Sequence, residues 1–179
     1  MKILKSIVSA CIYLLVSQLV PAPLLAQQNP KLTDPEIASI AVTANQVDIS
    51  YAELARKKSK DGEVLKFAET MARDHKAVIE QAVALAGKLG VTPKDNAVSK
   101  KLLADAEKTK KALQSKNGKA FNKAYIDNEV AYHKAVISTV ENVLIPETEN
   151  GELKALLQNV LPALKAHLGH AEMIQKNFK

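Results

Sequence analysis

Sulfur chemistry is almost absent from this chain. Cys11 is the single cysteine among 179 residues, and it sits in an apolar N-terminal stretch. The rest of the sequence can therefore form no disulfide and offers no thiolate to a metal or a substrate. A glycine-rich phosphate loop and a nucleophile elbow are likewise missing, which removes the usual signatures of nucleotide hydrolysis and of serine-type acyl transfer. Aromatic residues make up 4% of the chain and do not interleave with its lysine clusters, such as Lys57-Lys58 and Lys108 to Lys111. Those clusters read as solvated helix faces with weak attraction for an anionic surface, and they give no basis for nucleic-acid binding. Nowhere does an apolar/polar alternation of period two persist, so no strand is expected.

The N-terminus has the anatomy of a secretory signal. Lys2 and Lys5 precede an apolar run from Ile7 to Val20, and Pro21 to Ala26 leads into Gln27-Gln28. Cleavage after Ala26 is expected, which makes residues 1–26 a signal peptide and 27–33 a short polar linker. Val8-Ser9-Ala10-Cys11 offers a second possibility, a lipidated cysteine, although strong hydrophobicity continues past Cys11. The apolar run is short for a permanent membrane span of about 20 residues. After removal of Lys2 and Lys5, 23 of the 25 basic residues face 19 acidic ones, a net charge of +4. The expected product is an exported, periplasmic or envelope-associated chain, soluble once cleaved.

From residue 34 onward the sequence predicts one all-α domain, 34–179. Asp34-Pro35-Glu36 opens a first helix with Asp34 as cap, running to about Lys58. Asp61 caps a second, which ends at Gly90 with Pro93 beyond. A shorter third helix covers about Ala97 to Ser115. The fourth spans about Lys119 to Ile145 and is ended by Pro146, and the last runs nearly to Phe178 with a weak point at Pro162.

Four-three spacing marks the buried faces. Val64, Ala68, Met71, His75, Val78, Ala82, Leu85 and Leu89 form the stripe of the second helix. Ile126, Val130, His133, Ile137, Val140 and Leu144 form that of the fourth, and Leu153, Leu157, Val160, Leu164, His167, Ala171, Ile174 and Phe178 that of the last. The first helix carries two overlapping stripes, and Asp48 falls at the edge of the seam. Such faces pack as an antiparallel four-helix bundle with an additional shorter helix.

Asp48, His75, His133 and His167 are thus the strongly polar residues on otherwise apolar faces, one per long helix. A rise of about 1.5 Å per residue puts all four near mid-helix, so a cluster is geometrically allowed. Glu129, one turn before His133 and nearer the expected height of His167, is a weaker member. His170, on a neighbouring face, is a fourth imidazole donor or a surface residue. Imidazole with carboxylate suits one transition-metal ion (zinc, copper, iron or manganese). The same residues serve equally as a hydrogen-bonded network inside the core. Asp74 beside His75 is not by itself a catalytic pair, because adjacent helical side chains diverge.

The segments Ala44 to Ala55, Val64 to Ala68, Met71 to His75, Tyr125 to His133 and Leu161 to His167 together resemble the bacterial exported family of unknown function numbered four-one-four-two. That family carries the label "predicted outer membrane protein" and is placed with ferritin-like helical folds. The resemblance implies a ferritin-like bundle over nearly the whole chain after residue 26, and no established activity. Ferritin-like di-iron proteins use Glu-x-x-His on two helices, and no histidine here has a glutamate three residues before it.

The reading is therefore a non-enzymatic exported bundle with a metal or small-ligand site on the polar seam. The alternative is an envelope structural or interaction module whose histidines support a buried network and whose lysine-rich faces meet an envelope protein or an anionic surface. A metal-dependent redox enzyme ranks third. The residues specify neither a reaction nor an oligomeric state.

Overall fold

The computed structural model describes residues 31–178, and the signal-peptide, lipidation and cleavage expectations lie outside them. Five substantial helices carry the fold: α1 (Asp34–Lys58), α2 (Gly62–Leu89), α3 (Ala97–Gln114), α4 (Gly118–Thr139) and α6 (Gly151–Gln175). Between α4 and α6 lie a π-helical turn (Val140–Leu144) and the single turn α5 (Ile145–Glu147), and a 3₁₀ turn (Lys176–Phe178) follows α6. Helices α1, α2, α4 and α6 form the antiparallel bundle, while the shorter α3 lies against α1. Among the described residues there is no strand.

Local chemistry sets most of the boundaries. Asp61 accepts from the backbone N–H groups of Glu63 and Val64 at 3.0 and 3.1 Å, capping α2. Gly90 closes that helix at φ 64°, a left-handed conformation that a Cβ would strain. Asn96 and Asn150 cap α3 and α6 in the same manner as Asp61.

The start of α1 differs from expectation. Its cap is Thr33, whose N–H and hydroxyl both donate to Glu36. Asp34 is already helical, and its carboxylate accepts from the N–H groups of Glu149 and Asn150, at 2.9 and 2.8 Å. Those unpaired donors, at the start of α6, outcompete the local capping role.

Pro146 does not end the fourth helical segment. The widened π turn lets helical backbone pass it, with the Ile145 N–H donating to Val140 rather than to the residue four back. Helix α6 is likewise unbroken through Pro162.

The core falls into two clusters. One, around Tyr51, Phe67, Met71, Phe121, Tyr125 and Ile126, fills the half of the bundle holding the α1–α2 connection. The other, around Ile37, Ile40, Ile137, Leu144, Leu153 and Leu157, fills the opposite half. Helix α1 buries Ile37, Ile40, Val47, Tyr51, Leu54 and Ala55, and Asp48 is fully enclosed rather than at the seam's edge.

Candidate metal centre

The buried polar residues collect where the two apolar clusters meet. His133 follows Val130 of one and precedes Ile137 of the other, and His167 likewise stands between Leu164 and Ala171. The rings of His75, His133 and His167 approach one another closely, with centroids 5.7, 5.3 and 5.6 Å apart for the pairs 75–133, 75–167 and 133–167. One ring nitrogen from each lies within 4.8 Å of the other two. Asp48 Oδ2 stands 3.5 Å from His75 Nε2 and 3.7 Å from His133 Nε2. Three helical faces thus supply the imidazoles and a fourth the carboxylate.

Each imidazole is held from behind. The backbone carbonyl of Glu129 can only accept, so His133 donates from Nδ1 over 3.0 Å and keeps a lone pair on Nε2. Asn45 donates its amide to the Ala41 carbonyl at 2.8 Å. Its Oδ1 is thereby aimed at His75 Nδ1, 2.7 Å away, which again leaves the lone pair on Nε2. His167 donates from Nε2 to Asp74 Oδ2 over 3.1 Å, leaving Nδ1 bare. His75 Nε2, His133 Nε2 and His167 Nδ1 are buried and have no hydrogen-bond partner among the described residues. An outer acceptor on one nitrogen and a free lone pair on the other is the arrangement that orients metal-binding histidines.

Electrostatics agrees with this picture. Burial, reinforced by His133 and His167, pushes the His75 imidazole down to about 3. Burial takes His133 to about 4 and also lowers His167. All three rings are therefore neutral at physiological pH. Burial raises Asp48 to about 8, and burial next to Asp48 raises Glu129 well above the usual carboxylate range. Asp74 keeps its charge, because hydrogen bonds from Arg73 and His167 outweigh the burial that would raise it.

Of the remaining sequence candidates, Glu129 belongs with Asp48 and His133, its Oε2 lying 3.6 Å from His133 Nδ1. His170 is not in the cluster, and its ring meets the face of Phe67 edge-on at 5.3 Å. Sequence reasoning missed Asn45 as an orienting residue, although its place one turn before Asp48 was a usable signal. It also passed over the reach of Asp74 across to α6, which only tertiary packing reveals.

A cavity of about 500 Å³ adjoins the cluster, bounded chiefly by α1, α2, α4 and α6. It explains why α2 is fully buried only down to His75. The expected seam residues Val78, Ala82, Leu85 and Leu89 are half-buried and line this space.

Residues 20–174 match the model of the family described as Domain of unknown function (DUF4142). The chain belongs to that family. Its fold is a ferritin-like helical bundle. A DUF305 protein from Streptomyces coelicolor, described as secreted, superposes with a TM-score of 0.68 at 11% identity, over 80% of this chain and 91% of that one. CopM in its Cu(II)-bound form gives 0.62 at 19% identity, over 83% and 100% of the two chains. The silver-bound form of CopM gives 0.63 at 18% identity, over 82% and 97%. No curated protein matches the chain. The comparisons give no support to the label "outer membrane protein" attached to the DUF4142 resemblance. Among the described residues, no helix is long and apolar enough to cross a membrane.

Proposed function

We propose that this protein is an exported binding module for one divalent transition-metal ion, held by His75, His133 and His167 with Asp48 as the carboxylate ligand. One observation carries the reading. Three imidazoles from three helices bring ring nitrogens within 4.8 Å of one another, and each ring keeps one buried nitrogen without a partner while an acceptor fixes the other. An empty purpose for such groups is costly, since a buried acceptor without a donor forfeits its solvation.

The donor set fits an intermediate or borderline ion. Zinc–imidazole bonds of about 2.0–2.1 Å in a tetrahedron space the nitrogens by about 3.4 Å, so atoms within 4.8 Å of each other need only small side-chain adjustments. With no thiolate available, zinc and copper(II) suit the site best, and copper(II) is expected to bind more tightly. The copper-bound form of the structurally similar CopM makes copper a natural first test. Neutral imidazoles bind without first shedding a proton, whereas Asp48 would release one on ligation. The absence of Glu-x-x-His pairs argues for binding rather than for di-iron oxygen chemistry.

The test is elemental analysis and calorimetric titration of tag-free protein with copper(II) and zinc(II), beside the double variant His75→Ala/His133→Ala. About one equivalent should bind to the wild type, with affinity at least a hundredfold weaker in the variant and helicity preserved. Equal binding by the two proteins would remove the site from consideration. No metal uptake by either would favour the buried-network reading.

A further inference from the structure

The cavity beside the histidines has a shape and polarity that the metal reading leaves unused. Along α1 its lining extends from Asp34 to Asp48, and along α6 from Leu153 to His167. Fourteen residues of helix correspond to about 21 Å. The volume of about 500 Å³ is thus drawn out along the helices rather than gathered at the histidines alone.

Composition keeps the space open. Ala41 and Ala44 on α1, with Ala82 and Ala86 on α2, stand where larger residues would close the bundle. Opposite them are branched aliphatics, including Val136, Leu157 and Val160. Elongated, mostly apolar pockets with a few convergent polar groups are typical of small-molecule sites. Here one end carries Asp48 and the three imidazoles, while the far end carries Asp34 and Asn150, so the metal site is the one place in the chamber that would attract an anionic head.

We infer that this chamber holds an aliphatic chain whose carboxylate head binds the metal at the histidine cluster as a ligand additional to the three imidazoles and Asp48. The inference rests on the metal-binding reading for the head and on the chamber itself for the tail. A chain in this space buries one methylene after another against the aliphatic wall, and each tightens binding by about fourfold. The carboxylate meets a cation in a site from which water is largely excluded.

The experiment is calorimetric titration of zinc-loaded protein with butyrate, octanoate, laurate and palmitate. It is repeated on Ala82→Phe and on Ala41→Phe, two fillers on different helices. Zinc uptake is measured first in each protein, together with its helicity and melting temperature. Affinity that climbs steeply with chain length, and falls at least tenfold in either folded filler variant while zinc uptake is unchanged, is the expected result. Affinity independent of chain length in the wild type would overturn the chamber's role without recourse to any variant. Zinc binding with no fatty-acid binding would overturn this inference and leave the metal site standing. Failure to take up zinc would instead sink the metal reading, and with it the role given to the carboxylate head.

Discussion

Asp48 is the residue on which the centre's chemistry turns. With no exposure to solvent, its carboxyl is pushed by burial up to about 8 from an ordinary 3.8. A folded value above the unfolded one means that the native state binds the extra proton. The resulting stability is fully present below about pH 3.8 and is lost as pH rises through about 8. The imidazoles run the other way. His75 at about 3 and His133 at about 4 contribute stability that is present above their ordinary value of 6.5 and lost as pH falls through those figures. Metal-free protein should therefore melt at progressively lower temperature between about pH 6.5 and pH 8, where only the carboxyls are titrating. Asp48→Asn, which keeps the shape without the ionisation, should flatten that decline. Melting curves taken across the range decide the matter, and an undiminished decline in the variant would contradict the assignment. His167 could be found from spacing alone, but its tie to Asp74 could not, because a contact 93 residues apart in sequence leaves no local trace.

At the scale of the helix, most boundaries were written in capping residues: Asp61, Gly90 and the Asp34-Pro35-Glu36 opening each marked an end to within a residue or so. Two details escaped. The carboxylate of Asp34 was drawn away to the start of α6, leaving Thr33 as cap. The π turn carried helical backbone past Pro146, a choice between turn types that local propensity does not resolve. Pro162 presents the reverse situation. It is exposed within a continuous α6, and its ring nitrogen cannot donate to the carbonyl one turn back. Pro162→Ala restores that donor and a better helix former, so it should stabilise the protein by about 1–3 kcal/mol. Urea denaturation provides the check, and a midpoint that stays put or falls would mean that the proline's geometry is needed for packing α6.

For the molecule as a whole, the fold class followed from periodicity, since four apolar faces of period near 3.6 have few ways to be covered other than by one another. The cavity did not follow. Val78, Ala82, Leu85 and Leu89 have the same spacing whether they close on a neighbour or face a gap, and only tertiary packing decides the difference. Ligand binding to the native state alone should raise stability by about 2.7 kcal/mol at a hundredfold excess of free ligand over its Kd. Copper(II) or zinc(II) should therefore raise the melting temperature by several degrees, and the His75→Ala/His133→Ala protein should show no such rise. An equal rise in both would locate the binding elsewhere. The division of the core into two apolar clusters with the imidazoles and carboxylates between them also bears on how the domain comes apart. Neither cluster encloses the other, so what couples them is chiefly the unbroken length of α1, α4 and α6, where a break would cost a new helix nucleus. Cooperativity in this domain is carried by continuous backbone rather than by one shared interior, and an ion bound at the junction would act as a rivet between two foldons.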